Sequence, residues 1–203
     1  VKLIGMLDSP YVRRTAISLR LLGVDFDHQP LSVFSAFDEF KAINPVVKAP
    51  TLVLDDGTVL MDSTLIIDYA EHASGRTLMP DSLAQRRQAT AVIGLALAAC
   101  EKTVQIVYER NLRPAQKQHE PWVARVQGQL DAAYATLETA LHKTWTPTLP
   151  LKKVGQFAVT AAVAWRFTQA LLPGAIQARN HPGLAQLSAQ AEALPVFQAF
   201  PHD

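Results

Sequence analysis

Every strand signal in this chain lies within its first 75 residues, and beyond about Arg76 only helical signals follow. In the first stretch the two kinds alternate. Lys2–Met6 (KLIGM) is a short apolar run that reads as a buried strand. Pro10 to Leu22 is amphipathic, with Ser9 as a cap, Pro10 at the first helical position and Gly23 as the stop. Asp25–Leu31 alternates weakly, as a second strand would. Ala36–Asn44 reads as a short helix broken at Asn44–Pro45. In TLVLDDGTVLM, residues 51–61, two apolar runs flank Asp56–Gly57, a strong hairpin signal. Asp62 and Ser63 then supply cap chemistry for a helix with Leu65, Ile66 and Tyr69 on one face, ending at Gly75. A helical crossover between the first two strands predicts a parallel pair, and the hairpin adds an antiparallel one.

That order is the pattern of a thioredoxin-like α/β domain, expected over residues 1–75. Residues 76–85 read as a linker, with Pro80 as a breaker and Asp81–Ser82 as a cap. Residues 86–203 are expected to be all-α. In one helix Trp122, Val126, Leu130, Tyr134, Leu137 and Leu141 recur every three or four residues as one stripe. VGQFAVTAAVAWRFTQALL, residues 154–172, is apolar nearly all round and predicts a central buried helix, ended by Pro173–Gly174. A last helix is expected over Pro182–Ala193, and Thr144–Lys153 reads as a proline-interrupted loop.

Composition narrows the function classes. A hydrophobic fraction of 49% in 203 residues supplies a full core without metal or disulfide staples. The net charge of +1 gives no strong field for nucleic acid or an anionic membrane. Charged residues make up 18%, below the usual quarter, a weak sign of surface covered by an oligomer interface. Cys100 is the single cysteine, so no internal disulfide forms and a reducing compartment is the default. It sits among small apolar helical residues and reads as buried and structural. No secretory leader opens the chain and the apolar run FAVTAAVAW is too short to cross a bilayer, so a soluble, cytoplasmic protein is expected. The six histidines form no HExxH or other ligand-like cluster, and no GxSxG stretch is present. No metal is expected.

The stretch Asn44 to His72, NPVVKAPTLVLDDGTVLMDSTLIIDYAEH, together with the tail NHPGLAQLSAQAEALPVFQAF, resembles the cytosolic glutathione transferases, of the bacterial, serine-using type. The likeness spans nearly the whole chain and rests on the order and spacing of its motifs. It implies the glutathione transferase fold and a detoxifying transferase with glutathione as co-substrate, acting on a small hydrophobic electrophile, cytoplasmic and homodimeric. Pro50 matches the family's cis-proline and Ala49 the residue whose backbone pairs with the peptide ligand; an X–Pro bond is where a cis peptide is tolerable, at about 0.5–1 kcal/mol. Ser63, at a helix N-terminus, offers a hydroxyl and an N–H to the γ-glutamyl carboxylate. Asp62 matches the acid that takes the ligand's ammonium, and Lys48 the residue near the glycyl carboxylate. Ser9 falls where the family places its thiol donor. A charge-assisted hydrogen bond of roughly 1.5–3 kcal/mol is adequate for lowering a thiol pKa by about one to two units.

By itself Ser9–Pro10 reads as a cap, and a cap and a thiol contact do not exclude each other. Tyr11 is the rival hydroxyl, or else lines the electrophile pocket with Tyr108 and Trp165. Arg13 and Arg14 are expected to be exposed on the first helix, or else to stand at the domain interface. Three positions depart from the family. Val47 replaces the usual glycine before the basic residue. Gly155 or Gln156 stands where the penultimate long helix usually opens with a capping box. The first loop has no cysteine, which argues against thiol-exchange chemistry, because a serine forms no mixed disulfide. Alternatives with the same fold are a glutathione-binding scaffold without turnover, or a glutathione-dependent peroxidase, isomerase or dehalogenase.

Overall fold

The computed structural model describes residues 1–145 and 154–202. Most of the predicted loop Thr144–Lys153 therefore lies outside the described residues. The chain divides into two compact units: residues 1–78 with 193–203, and residues 79–192.

The first unit runs β1 (Lys2–Ile4), α1 (Pro10–Leu22), β2 (Asp27–Gln29), α2 (Phe37–Ile43), β3 (Thr51–Val53), β4 (Val59–Met61) and α3 (Ser63–Ser74). The strands order as β2-β1-β3-β4. β1 pairs parallel with β2, Leu3 opposite His28, and antiparallel with β3, Leu3 opposite Leu52. β3 and β4 form the hairpin around Asp56–Gly57. Its turn is held by Thr58, which donates from its backbone to Asp56 and keeps that carboxyl below the usual range. Both expected pairings are present. The strands are shorter than the apolar runs that predicted them, because only three residues of each find ladder partners.

Helix α1 is buried on almost every side, and Gly23 closes it in the left-handed conformation at φ 75°. Arg13 and Arg14 are buried, with 0% and 2% exposure, correcting the expectation of two solvent-facing charges. The partner of Arg13 is the end of the chain. Its Nε donates to the Phe200 carbonyl at 2.8 Å and its guanidinium lies over the Phe197 ring at 5.7 Å. Phe200 stacks on Phe26, with Arg20 over both rings. So the tail, with its short helix α8 (Pro195–Gln198), belongs to the first unit.

The second unit contains α4 (Leu83–Leu112), α5 (Glu120–Thr144), α6 (Gln156–Leu171) and α7 (Pro182–Glu192). Helix α4 starts three residues inside the expected linker. By length and composition alone α4 also suits a membrane span, which the shorter run FAVTAAVAW does not; core helices pass the same test, and α4 packs on α5 and α6. The stripe on α5 is present from Val126 to Leu141, but Trp122, in the first turn, is exposed, and Val123 takes the inner position. Helix α6 is the buried central helix the sequence predicts. At its core the Tyr134 hydroxyl lies 2.6 Å from Thr168 Oγ1, and burial pushes the phenol pKa up. Cys100 is buried.

Helix α6 starts at Gly155 with no side-chain cap. Elsewhere in this unit the caps come from distant carboxylates. Glu109 on α4 accepts from the His119 N–H at 2.9 Å, at the start of α5. Glu138 on α5 accepts from the Gly183 and Leu184 N–H groups at 2.7 and 2.9 Å, the open end of α7. Glu138→Gln retains one acceptor oxygen and loses the charge that both bonds use. It should lower the stability of the chain by about 1.5–3 kcal/mol, read as a lower midpoint in urea unfolding.

Candidate functional site

The first unit brings the α1 N-terminus, the loop before β3 and the α3 N-terminus together. Gly5, just past β1, sits between the first two. A side chain there would lie 2.6 Å from Val12 Cγ2 and 3.1 Å from Ala49 Cβ, and Gly5 has φ 136°. Glycine is therefore required both for backbone conformation and for close approach. The His28 ring nitrogen Nε2 lies 2.8 Å from the Gly5 carbonyl, fixing the strand end that leads into the α1 turn.

Ser9 is the N-cap of α1. Its Oγ accepts a long bond of 3.4 Å from the Val12 N–H, and its carbonyl accepts from Arg13 N–H at 2.9 Å. Among the described residues its hydroxyl proton has no acceptor. Tyr11 is half-buried in the same turn. The Ala49–Pro50 bond is cis, with Pro50 buried and Ala49 partly accessible.

A buried amide organises the loop before that proline. Asn44 accepts from the Val46 N–H at 3.0 Å and donates to Thr51 Oγ1 at 2.8 Å; Thr51 in turn donates to the Lys48 carbonyl at 2.7 Å. Asn44 and Thr51 were missed as functional residues, since Asn-Pro reads locally as a helix stop. Between them Val47 takes φ 52°, where a β-branched residue is strained by roughly 1–2 kcal/mol.

Asp62 caps α3. Its Oδ1 accepts from the Thr64 N–H at 2.9 Å, and its backbone is left-handed at φ 71°. Its other oxygen, Oδ2, faces Lys48 Nζ at 3.6 Å, with both side chains about half exposed. These are the two residues expected at opposite ends of the ligand, and here they pair with each other. Such a surface pair contributes about 0–1 kcal/mol, so it opens readily. Ser63 is buried, and its Oγ accepts from an Arg14 guanidinium nitrogen, Nη1, at 2.8 Å. Arg14 is a third residue that the sequence does not mark; nothing local signals a charge that turns inward.

The two other pocket candidates lie in the second unit. Tyr108 on α4 is exposed. Trp165 on α6 is only 5% exposed and stands edge-on to Tyr134 at 5.5 Å, which makes it a core residue of that unit rather than an open pocket wall. Among the described residues no group of three or more His, Cys, Asp or Glu could hold a metal ion.

Residues 3–77 match the family described as "Glutathione S-transferase, N-terminal domain". A crystal structure of a glutathione transferase family member from Pseudomonas fluorescens, with bound glutathione, superposes with a TM-score of 0.85 at 26% identity, covering all of this chain and 98% of that one. The chain has the fold of a glutathione transferase, and residues 3–77 are similar to that family's N-terminal domain. A GST-like protein of Escherichia coli, YibF, is 26% identical over 184 residues, 89% of each chain. Glutathione transferase GST 23 of Zea mays is 32% identical over 91 residues, 44% of this chain; the match spans 41% of the maize protein's length.

Two expectations test the loop. Asn44→Ala leaves the Thr51 hydroxyl and the Val46 N–H without their partner and should cost about 1–3 kcal/mol of stability. Val47→Gly relieves the left-handed strain but adds unfolded-chain freedom of about 0.5–1 kcal/mol, so its urea midpoint should be unchanged or slightly higher.

Proposed function

We propose that the chain is a glutathione transferase that binds glutathione across the first unit and holds its thiol as the thiolate. The observation that carries the reading is the convergence, in one domain similar to this family's, of the Ser9 turn, the cis Ala49–Pro50 segment and the Asp62–Ser63 helix start. Ala49 offers backbone groups to the cysteinyl part of the ligand. Ser63 and the α3 N-terminus take the γ-glutamyl carboxylate, where unpaired N–H groups and the helix dipole favour an anion. Asp62 takes the ammonium of that residue, and Lys48, released from Asp62, takes the glycyl carboxylate.

Chemistry follows from one proton. A free thiol has a pKa near about 8.5 and is mostly protonated at neutral pH. The Ser9 Oγ accepts from Val12 and has its own proton to give. The thiol's own proton passes to solvent, and a hydrogen bond from the Ser9 hydroxyl to the sulfur then favours the thiolate, aided by the positive end of α1. The thiolate attacks a small hydrophobic electrophile, its sulfur forming the new bond while the electrophile's leaving group departs or its double bond takes up the electron pair. Tyr11 is the side chain of the first unit that we assign to the electrophile. A cytoplasmic homodimer engaged in detoxification completes the reading, in keeping with the low charged fraction. Peroxidase, isomerase and dehalogenase chemistry use the same thiolate, and a substrate panel separates them.

Calorimetric titration with glutathione should show saturable heat; none at millimolar ligand overturns the reading and leaves a protein of this fold without the ligand. The thiolate's ultraviolet absorbance should follow the pKa of bound glutathione. Ser9→Ala should raise that pKa by about one to two units, the equivalent of one charge-assisted bond. The rising limb of the pH–rate curve should then move to higher pH by the same amount. An unmoved limb would assign the thiolate to Tyr11 or to the helix N–H groups.

A further inference from the structure

We propose that Arg14 is a positioning residue that orients the Ser63 hydroxyl to donate toward an anionic ligand, because its buried guanidinium takes up one of that oxygen's two acceptor lone pairs. The inference rests on the glutathione reading and specifies how its γ-glutamyl carboxylate would be recognised. Arg14 Nη1 lies 2.8 Å from Ser63 Oγ and 3.2 Å from Thr64 Oγ1. Arg14 and Ser63 are 2% and 3% exposed.

A guanidinium carries five donors, no acceptor, and is always protonated in a protein. Both hydroxyls therefore accept from it, and the direction of the bonds is settled by chemistry. A serine hydroxyl has one proton. With Arg14 on one of its lone pairs and Asp62 as the cap of α3, the Ser63 hydroxyl is not used to cap its own helix. Its proton points elsewhere, and among the described residues neither Ser63 nor Thr64 has an acceptor for it. A buried hydroxyl proton with no protein acceptor at the open end of a helix matches a carboxylate oxygen. The Ser63 N–H at the first position of α3 is a donor as well, while the Thr64 N–H is already capped by Asp62. The Ser63 hydroxyl and N–H together suit a carboxylate.

The test is a double-mutant cycle read by calorimetry on the full chain. Its ligands are glutathione and 4-aminobutyryl-cysteinylglycine, which lacks only the γ-glutamyl carboxylate. Arg14→Met should weaken glutathione binding about tenfold, as for one hydrogen bond to a charged group, and leave the analogue nearly unchanged. In the Ser63→Ala background the same substitution should have little further effect, since Arg14 acts through that hydroxyl. Arg14→Lys restores a donor without the planar fork and should recover part of the loss; it carries the same comparison if Arg14→Met does not fold. Equal loss for both ligands, or losses that add in the double variant, would overturn the proposal and leave Arg14 a packing residue. A wild-type chain that binds neither ligand overturns the glutathione reading, and this inference with it.

Discussion

A single buried guanidinium joins the helix that opens the first unit to the helix that closes its hairpin. Arg14 donates to the first two hydroxyls of α3 from the middle of α1. Around that bond the candidate site acquires its shape. The Ser9 turn is one helical turn away on α1, and Asp62 immediately precedes the two hydroxyls. The Ala49 loop approaches from the third side through the space that Gly5 leaves open. Burying a charge this completely is unfavourable unless its hydrogen bonds are made, so the geometry of the site and the stability of the unit are bound to the same side chain.

What could be read from the chain alone follows the range of each interaction. The caps of α1 and α3, the stop at Gly23 and the turn at Asp56–Gly57 are decided within a few residues, and they stand where the sequence puts them. The parallel and antiparallel pairings follow from connection length, another local quantity. Arg13 and Arg14 were misread because two adjacent charges on a helix look solvated. Their partners, Phe200 and Ser63, are 187 and 49 residues away. The return of the tail to α1 was invisible for the same reason: Phe197 and Phe200 are ordinary apolar residues until an arginine is found beneath them. At the candidate site, the residues proposed to touch ligand were named by resemblance, while those that hold them, Asn44, Thr51, Arg14 and Gly5, were not.

The second unit solves one local problem by non-local means. Its helices open at Ser82, His119 and Gly155 without a side-chain cap of their own. Glu109 and Glu138 reach from neighbouring helices to take up free N–H groups at the starts of α5 and α7. A carboxylate brought from another helix satisfies the donors and also fixes how the two helices meet, which a cap within one helix does not. Helix α6 has neither device and is held by burial among its neighbours.

The Lys48–Asp62 contact has a consequence for the kind of ligand the first unit selects. With those two side chains 3.6 Å apart, the rim carries a cation and an anion that already neutralise each other. A ligand with only one charge would separate the pair and leave one member unmatched. On the proposed reading, the ammonium and the glycyl carboxylate of glutathione each give one member of the pair a new partner, while the γ-glutamyl carboxylate goes to the α3 N-terminus. On that reading recognition at this rim is an exchange of partners, not attraction by a charged cleft, and a chain of net charge +1 needs no long-range field to achieve it.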